Sequence, residues 1–162
     1  INWIDMQFEW IIIDGYNALH SQPSLSLLFK SDPQKARDLF LNLIKEYLYK
    51  NSQKTTIIFD GISEEKDLFN STNKIEVLFS SSKLSADGLI ERLVNKHQNP
   101  EKICVITSDQ LEQQIVSSSG AYVESSEIFM QKCKNSKNTS YSTNMKASQK
   151  PKLGDFFPND LK

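Results

Sequence analysis

Cysteine, histidine and glycine are scarce in this chain: two, two and five residues among 162. Cys104 and Cys133 cannot build a disulfide framework and lack the paired spacing of a zinc site. Cys104 stands inside KICVIT, where it reads as a small buried hydrophobe. No Gly-rich phosphate loop is present. No apolar run approaches the roughly 18 residues of a membrane span. The N-terminal region carries Asp5 and Glu9 and lacks the basic start of a secretory leader. Met6 reads as a start, with residues 1–5 upstream of it. The expected compartment is the cytoplasm, with no membrane partner. An excess of one charge is also missing. Nineteen basic residues face twenty acidic ones, net −1, so the whole molecule is not an electrostatic magnet for nucleic acid.

What is present is an alternation of short apolar runs and amphipathic stretches. FEWIIID (8–14), TTIIFD (55–60), IEVLFS (75–80), KICVITSD (102–109) and GAYVES (120–125) read as strands. Between them, Asp32-Pro33 supplies an N-cap and a first-turn proline for a helix. Its apolar face is Ala36, Leu39, Phe40, Leu43, Ile44, Tyr47 and Leu48. A second helix from Ser85 carries Ala86, Leu89, Ile90, Leu93 and Val94 on one face, and a short third contains Leu111, Ile115 and Val116. A last helix covers 126–134. Strand and helix in alternation predict an α/β domain with a mainly parallel sheet covered by helices, spanning 8–134. From Gln131 to Lys152 there are six lysines and no acid, so 135–162 reads as a flexible, polar, Lys-rich tail.

The first strand stops at Asp14 in IIIDGYNALH, and no alternating strand follows as a hairpin would require. The second also ends in Asp-Gly, at Asp60, and the fourth in Thr-Ser-Asp, at Asp109. In a parallel sheet these carboxyl ends share one edge, and Asp87 in the first turn of the Ser85 helix reaches the same edge. Carboxylates crowded together raise one another's pKa, a conflict that a divalent cation resolves. An all-oxygen site without Cys or His suits Mg²⁺ or Mn²⁺ and serves phosphodiester chemistry. Each acid also has a plainer reading. Asp109 with Glu112 is a D-x-x-E capping pair, Asp87 complements a helix dipole, and Asp60 fits a turn.

The ordered set IIIDGYN, ARDLF (36–40), IFDG, SADGLIERLV (85–94), TSDQLEQ (107–113) and SGAYVESSE (119–127) resembles the YacP-like NYN domains, relatives of the PIN-domain nucleases. The resemblance covers roughly residues 8 to 130. It implies a PIN-like three-layer α/β/α fold and a metal-dependent endoribonuclease that cleaves mRNA in association with the ribosome. It further implies catalytic roles for Asp14, Asn17, Asp60, Asp87 and Asp109, and contact of Arg37 with substrate. On the reading of the residues, Asp14, Asp87 and Asp109 hold the metal, and Lys83 and Ser108 join Arg37 at the substrate. A non-catalytic adaptor binding RNA or the ribosome is the rival reading; an acidic edge facing a polyanion argues against it. Oligomeric state is not written in the sequence.

Overall fold

The computed structural model describes residues 8 to 148 apart from positions 50 and 52, with side chains described up to 137. Met6, Lys150 and Lys152, on which readings were placed above, lie outside the described residues. The first strand, β1 (Trp10–Asp14), has four consecutive buried residues, as a strand covered on both faces must. It is flanked by β2 (Lys54–Phe59) and β5 (Ile103–Ile106), both parallel to it. Next to β2 lies β4 (Ile75–Phe79), and next to β5 lies β6 (Tyr122–Glu124). A two-residue strand, β3 (Glu65–Lys66), closes the β4 edge antiparallel. The order β3-β4-β2-β1-β5-β6 is a six-stranded, mainly parallel sheet.

Among the described residues six α-helices cover it: α1 (Gly15–His20), α2 (Pro23–Ser31), α3 (Pro33–Leu48), α4 (Ala86–Lys96), α5 (Gln110–Ser118) and α6 (Ser126–Ser148). The period of two along the strands sorts the side chains into two cores. Ile11, Ile13, Ile57, Phe59, Cys104 and Ile106 point to one face, where Ala36, Phe40 and Ile44 of α3 and Phe129, Met130 and Cys133 of α6 meet them. Ile12, Ile58, Ile103 and Val105 point to the other, against Ala86, Leu89, Ile90 and Val94 of α4 and Val116 of α5. Each full burial of an Ile or Phe contributes about 1.5–3 kcal/mol, so both layers are held mainly by apolar contact. The result is the expected three-layer α/β/α fold.

Two expectations change and one gap is filled. Residues 15–31, given no element above, form α1 and α2. Asp14 caps the first, and Pro23 opens the second at its first position. No residue of α2 is fully buried, so its pattern was too weak to read; Leu25, Leu28 and Phe29 rest partly buried on the α3 side of the sheet. The last helix does not stop at 134. It continues to Ser148, so the chain from 135 to 148 is helical where a flexible tail was expected. Anchoring by Phe129, Met130 and Cys133 supplies the nucleus, after which each added residue gains one helical hydrogen bond. In α5, Leu111 is 66% exposed and Glu112 takes the inward position.

Both Asp-Gly steps are packing requirements. A Cβ on Gly15 would come within 2.5 Å of the Phe59 ring, and one on Gly61 within 2.6 Å of the Ser80 carbonyl. Neither glycine has a positive φ. The register pairs Ile13 with both Ile57 and Ile106, so the strands end level. From β1 the chain steps outward to β2 and β4, then returns to the opposite side of β1 as β5. That reversal leaves a crevice beyond the carboxyl ends of β1 and β5, where open α/β sheets bind ligands.

Candidate active site

Four elements deliver acids to this crevice. Asp14 ends β1, Asp60 follows β2, Asp87 stands in the first turn of α4, and the start of α5 contributes Asp109 and Glu112. Carboxylate oxygens of Asp14, Asp87 and Glu112 all lie within 4.8 Å of one another. Asp14 is 7% exposed and Glu112 only 2%. Burial pushes Asp14 up to about 6, helped by the charges of Asp87 and Asp60 and opposed by hydrogen bonds from Glu112 and the Asn17 N–H. Burial followed by the Asp14 charge pushes Glu112 up to about 9. Thr107 Oγ1 donates to Glu112 Oε2 at 2.8 Å, while Glu112 Oε1 is buried without a donor. Protonated, Glu112 can donate to Asp14; deprotonated, that oxygen calls for a cation.

The other predicted residues take distinct places. Asp60 Oδ1 accepts from the Ala86 N–H at 2.8 Å and pins the start of α4, which sets Asp87. Asp109 is exposed, and its carboxylate caps α5 by accepting from the Glu112 N–H at 3.1 Å. Asp60 and Asp109 both line the crevice, about 500 Å³ in volume, but stand outside the three-carboxylate cluster. Asn17 Oδ1 accepts from the Ser108 N–H at 2.9 Å and from Ser126 Oγ at 2.6 Å, tying α1 to the β5–α5 turn and to α6. Ser108 Oγ accepts from the Ser126 N–H at 2.8 Å and donates to Glu127, whose carboxyl is thereby held below its ordinary value.

Arg37 donates to Tyr16 Oη at 3.2 Å and to Gln34 Oε1 at 2.8 Å. It lines a separate depression with Phe59 and Phe79, so it reaches the crevice only through Tyr16. Lys83 is exposed and does not line the crevice. Cys104 is fully buried, and burial lifts its thiol to about 12, in keeping with an inert core residue.

Glu112 is the residue whose part the sequence reading missed. The D-x-x-E pattern suggested a side chain folded back on the cap. Its available signal was position: Glu112 lies four residues before Val116, on the buried stripe of α5, where an acid is out of place.

No helix among the described residues is long and apolar enough to cross a membrane. A family model described as the YacP-like NYN domain matches residues 11–160. The protein named YacP, described as uncharacterized, from Bacillus subtilis strain 168 is 28% identical over 113 residues. That match takes in 68% of this chain and 66% of the relative, so the chain spans just under two thirds of that protein's length. A crystal structure of Rae1 (YacP) from Bacillus subtilis, in a mutant form, superposes with a TM-score of 0.70 at 23% identity, covering 89% of this chain and 86% of the other. A second structure of Rae1 (YacP) gives 0.69 at 23% identity, covering 87% and 82%. At that identity the structural likeness bears on the fold alone. The extent of the family match is the stronger finding, and by it this chain belongs to the YacP-like NYN domain family.

Proposed function

We propose that the protein is a divalent-cation-dependent endoribonuclease. The observation that carries this reading is the convergence of Asp14, Asp87 and Glu112 within 4.8 Å at the carboxyl edge of the sheet. The residues fit a hard cation: three carboxylates from three elements, two of them buried, and a Glu112 oxygen without a donor. Membership of a family of PIN-like nuclease fold supports RNA as the substrate. Mg²⁺ or Mn²⁺ bound there would neutralise charge at a phosphodiester and lower the pKa of water.

In this reading Asp14, Asp87 and Glu112 hold the cation. Asp60 and Asp109 fix the two helix starts that present Asp87 and Glu112. Asn17 holds the turn at Ser108 against α6 and so maintains one wall of the crevice. Without a cation, Glu112 keeps a proton at neutral pH, which limits repulsion from Asp14. The finer reading, mRNA cleaved at the ribosome in the cytoplasm, rests on the family likeness. Arg37 acts on substrate through Tyr16, and Lys83 only where RNA extends beyond the crevice.

The test is cleavage of single-stranded RNA by the full chain with Mg²⁺ or Mn²⁺ and with chelator, in wild type, Asp14→Asn and Glu112→Gln. Internal cleavage should require the cation and fall by orders of magnitude in both variants. Cleavage that ignores the cation, or folded variants as active as wild type, would sink the assignment. RNA binding with no cleavage under any cation would favour the adaptor.

A further inference from the structure

The mechanism leaves His20 without a task. His20, the last residue of α1, is exposed and lines the same crevice as Asp14 and Asp87. Its ring is held in place. Nδ1 lies 2.9 Å from Ser26 Oγ of α2, and the imidazole meets the Phe29 ring at 4.9 Å, edge to face. Tyr16 is 5.4 Å from Phe29 and 6.2 Å from His20. Tyr16 in turn packs on Phe59 at 4.8 Å, and the fully buried Phe59 touches Phe40 and Phe79. A column of aromatic rings therefore runs from the core to the crevice wall, with an imidazole at its wet end. A histidine that only filled space would be covered, and one free in solvent would not be braced on two sides.

We infer that His20 is a stacking wall for a nucleobase next to the scissile phosphate, and that the crevice accordingly takes unpaired RNA. This rests on the ribonuclease reading above. Every base has a π-face, so a braced ring beside an acidic crevice gives sequence-tolerant grip. Bases in a duplex are already stacked and cannot turn onto a side chain; bases in loops and single strands can. A stacked base also supplies affinity that an acidic crevice cannot obtain from phosphates. The imidazole acts through its ring face here, without proton transfer.

Wild type, His20→Ala and His20→Phe are compared on a short single-stranded RNA carrying 2-aminopurine and on the same RNA in a duplex, with Mn²⁺. Melting curves check that each variant is folded. Wild type should prefer the single strand. His20→Ala should raise KM about tenfold, more than it lowers kcat, and abolish the quenching of 2-aminopurine on binding. His20→Phe should restore both KM and quenching. Unchanged KM and quenching in His20→Ala would overturn the inference, as would equal cleavage of the duplex. Loss of kcat in His20→Phe would overturn it in favour of imidazole as a proton carrier. Quenching that depends on His20, with no cation-dependent cleavage by wild type, would uphold the stacking wall and overturn the ribonuclease reading instead.

Discussion

Glu112 and Asp14 come from the first turn of α5 and the last position of β1, and their carboxyl oxygens meet within 4.8 Å while Glu112 stays 2% exposed. Two acids so placed cannot both ionise cheaply, and the fold carries that cost. A side chain at 112 that is neutral without taking up a proton should relieve it. Glu112→Gln keeps an oxygen for the Thr107 hydroxyl and offers Asp14 an amide donor. The cation-free variant should melt higher than wild type at neutral pH by at least about 2–4 °C, the equivalent of about 1 kcal/mol. The same variant should gain nothing from added Mn²⁺. A lower melting temperature in Glu112→Gln would mean that the contact is stabilising.

The pH dependence follows from the same pair. In the unfolded chain both carboxyls titrate near the ordinary range, about 4. In the fold Asp14 titrates at about 6 and Glu112 at about 9, so the folded chain binds more protons across that interval. The pair is least costly below about pH 4 and grows more costly as pH rises through 6 toward 9. Cation-free protein should therefore lose melting temperature from about pH 5 to about pH 8, and saturating Mn²⁺ should remove most of that loss. Mn²⁺ uptake at neutral pH should release protons into a weakly buffered solution. Melting temperatures that rise with pH in the cation-free protein would contradict the assignment.

The layers were legible because strand and helix periods are strong signals. Ile11 to Asp14, Ile57 to Phe59 and Ile103 to Ile106 read as buried strands, and the Phe40 and Ile90 faces as helices. Asp14 and Asp87, expected at one edge of the sheet, do come together there, with Glu112 as the third acid. Three things were hidden for physical reasons. α2 has no fully buried residue, so its sequence lacks a sharp stripe. β3 is two residues long and exists through its pairing with Phe79 and Leu78. The rotation of α5 turns Glu112 inward and Leu111 outward, and the partners that hold Glu112 there, Thr107 and Asp14, lie outside the helix, where the spacing to Val116 alone does not reach. Asp109 belongs to both readings: its side chain makes the cap the sequence offered and still lines the crevice.

Asp109 can accordingly be tested by splitting charge from cap. Asp109→Asn retains a good capping oxygen and should change stability by no more than a few tenths of a kcal/mol. Asp109→Ala removes the acceptor for the Glu112 N–H and should cost about 1 kcal/mol. Cleavage by Asp109→Asn should fall less than that by Asp14→Asn, because Asp109 lies outside the three-carboxylate cluster. Equal losses in the two asparagine variants would put the Asp109 charge at the cation.

Asn17 makes a different prediction. Its Oδ1 serves both the Ser108 N–H and the Ser126 hydroxyl, so Asn17→Ala strands two donors. The expected cost is about 2 kcal/mol, read as a melting temperature about 4–8 °C lower. Hydrogen exchange at the Ser126 amide, which donates to Ser108 Oγ, should quicken in the same variant. A melting curve unchanged from wild type would show that the clasp is not structural.

The proposed ribonuclease depends on three carboxylates from three elements, Asp14, Asp87 and Glu112, forming one divalent-cation site. Mn²⁺ titration followed by electron paramagnetic resonance reads it without reference to RNA. Wild type should take up one tightly bound ion. That ion should be lost in Asp14→Asn, Asp87→Asn and Glu112→Gln, and kept in Asp60→Asn and Asp109→Asn, whose side chains hold helix starts. Retention of the tight ion in folded Glu112→Gln, or its loss in Asp109→Asn alone, would contradict the site described here.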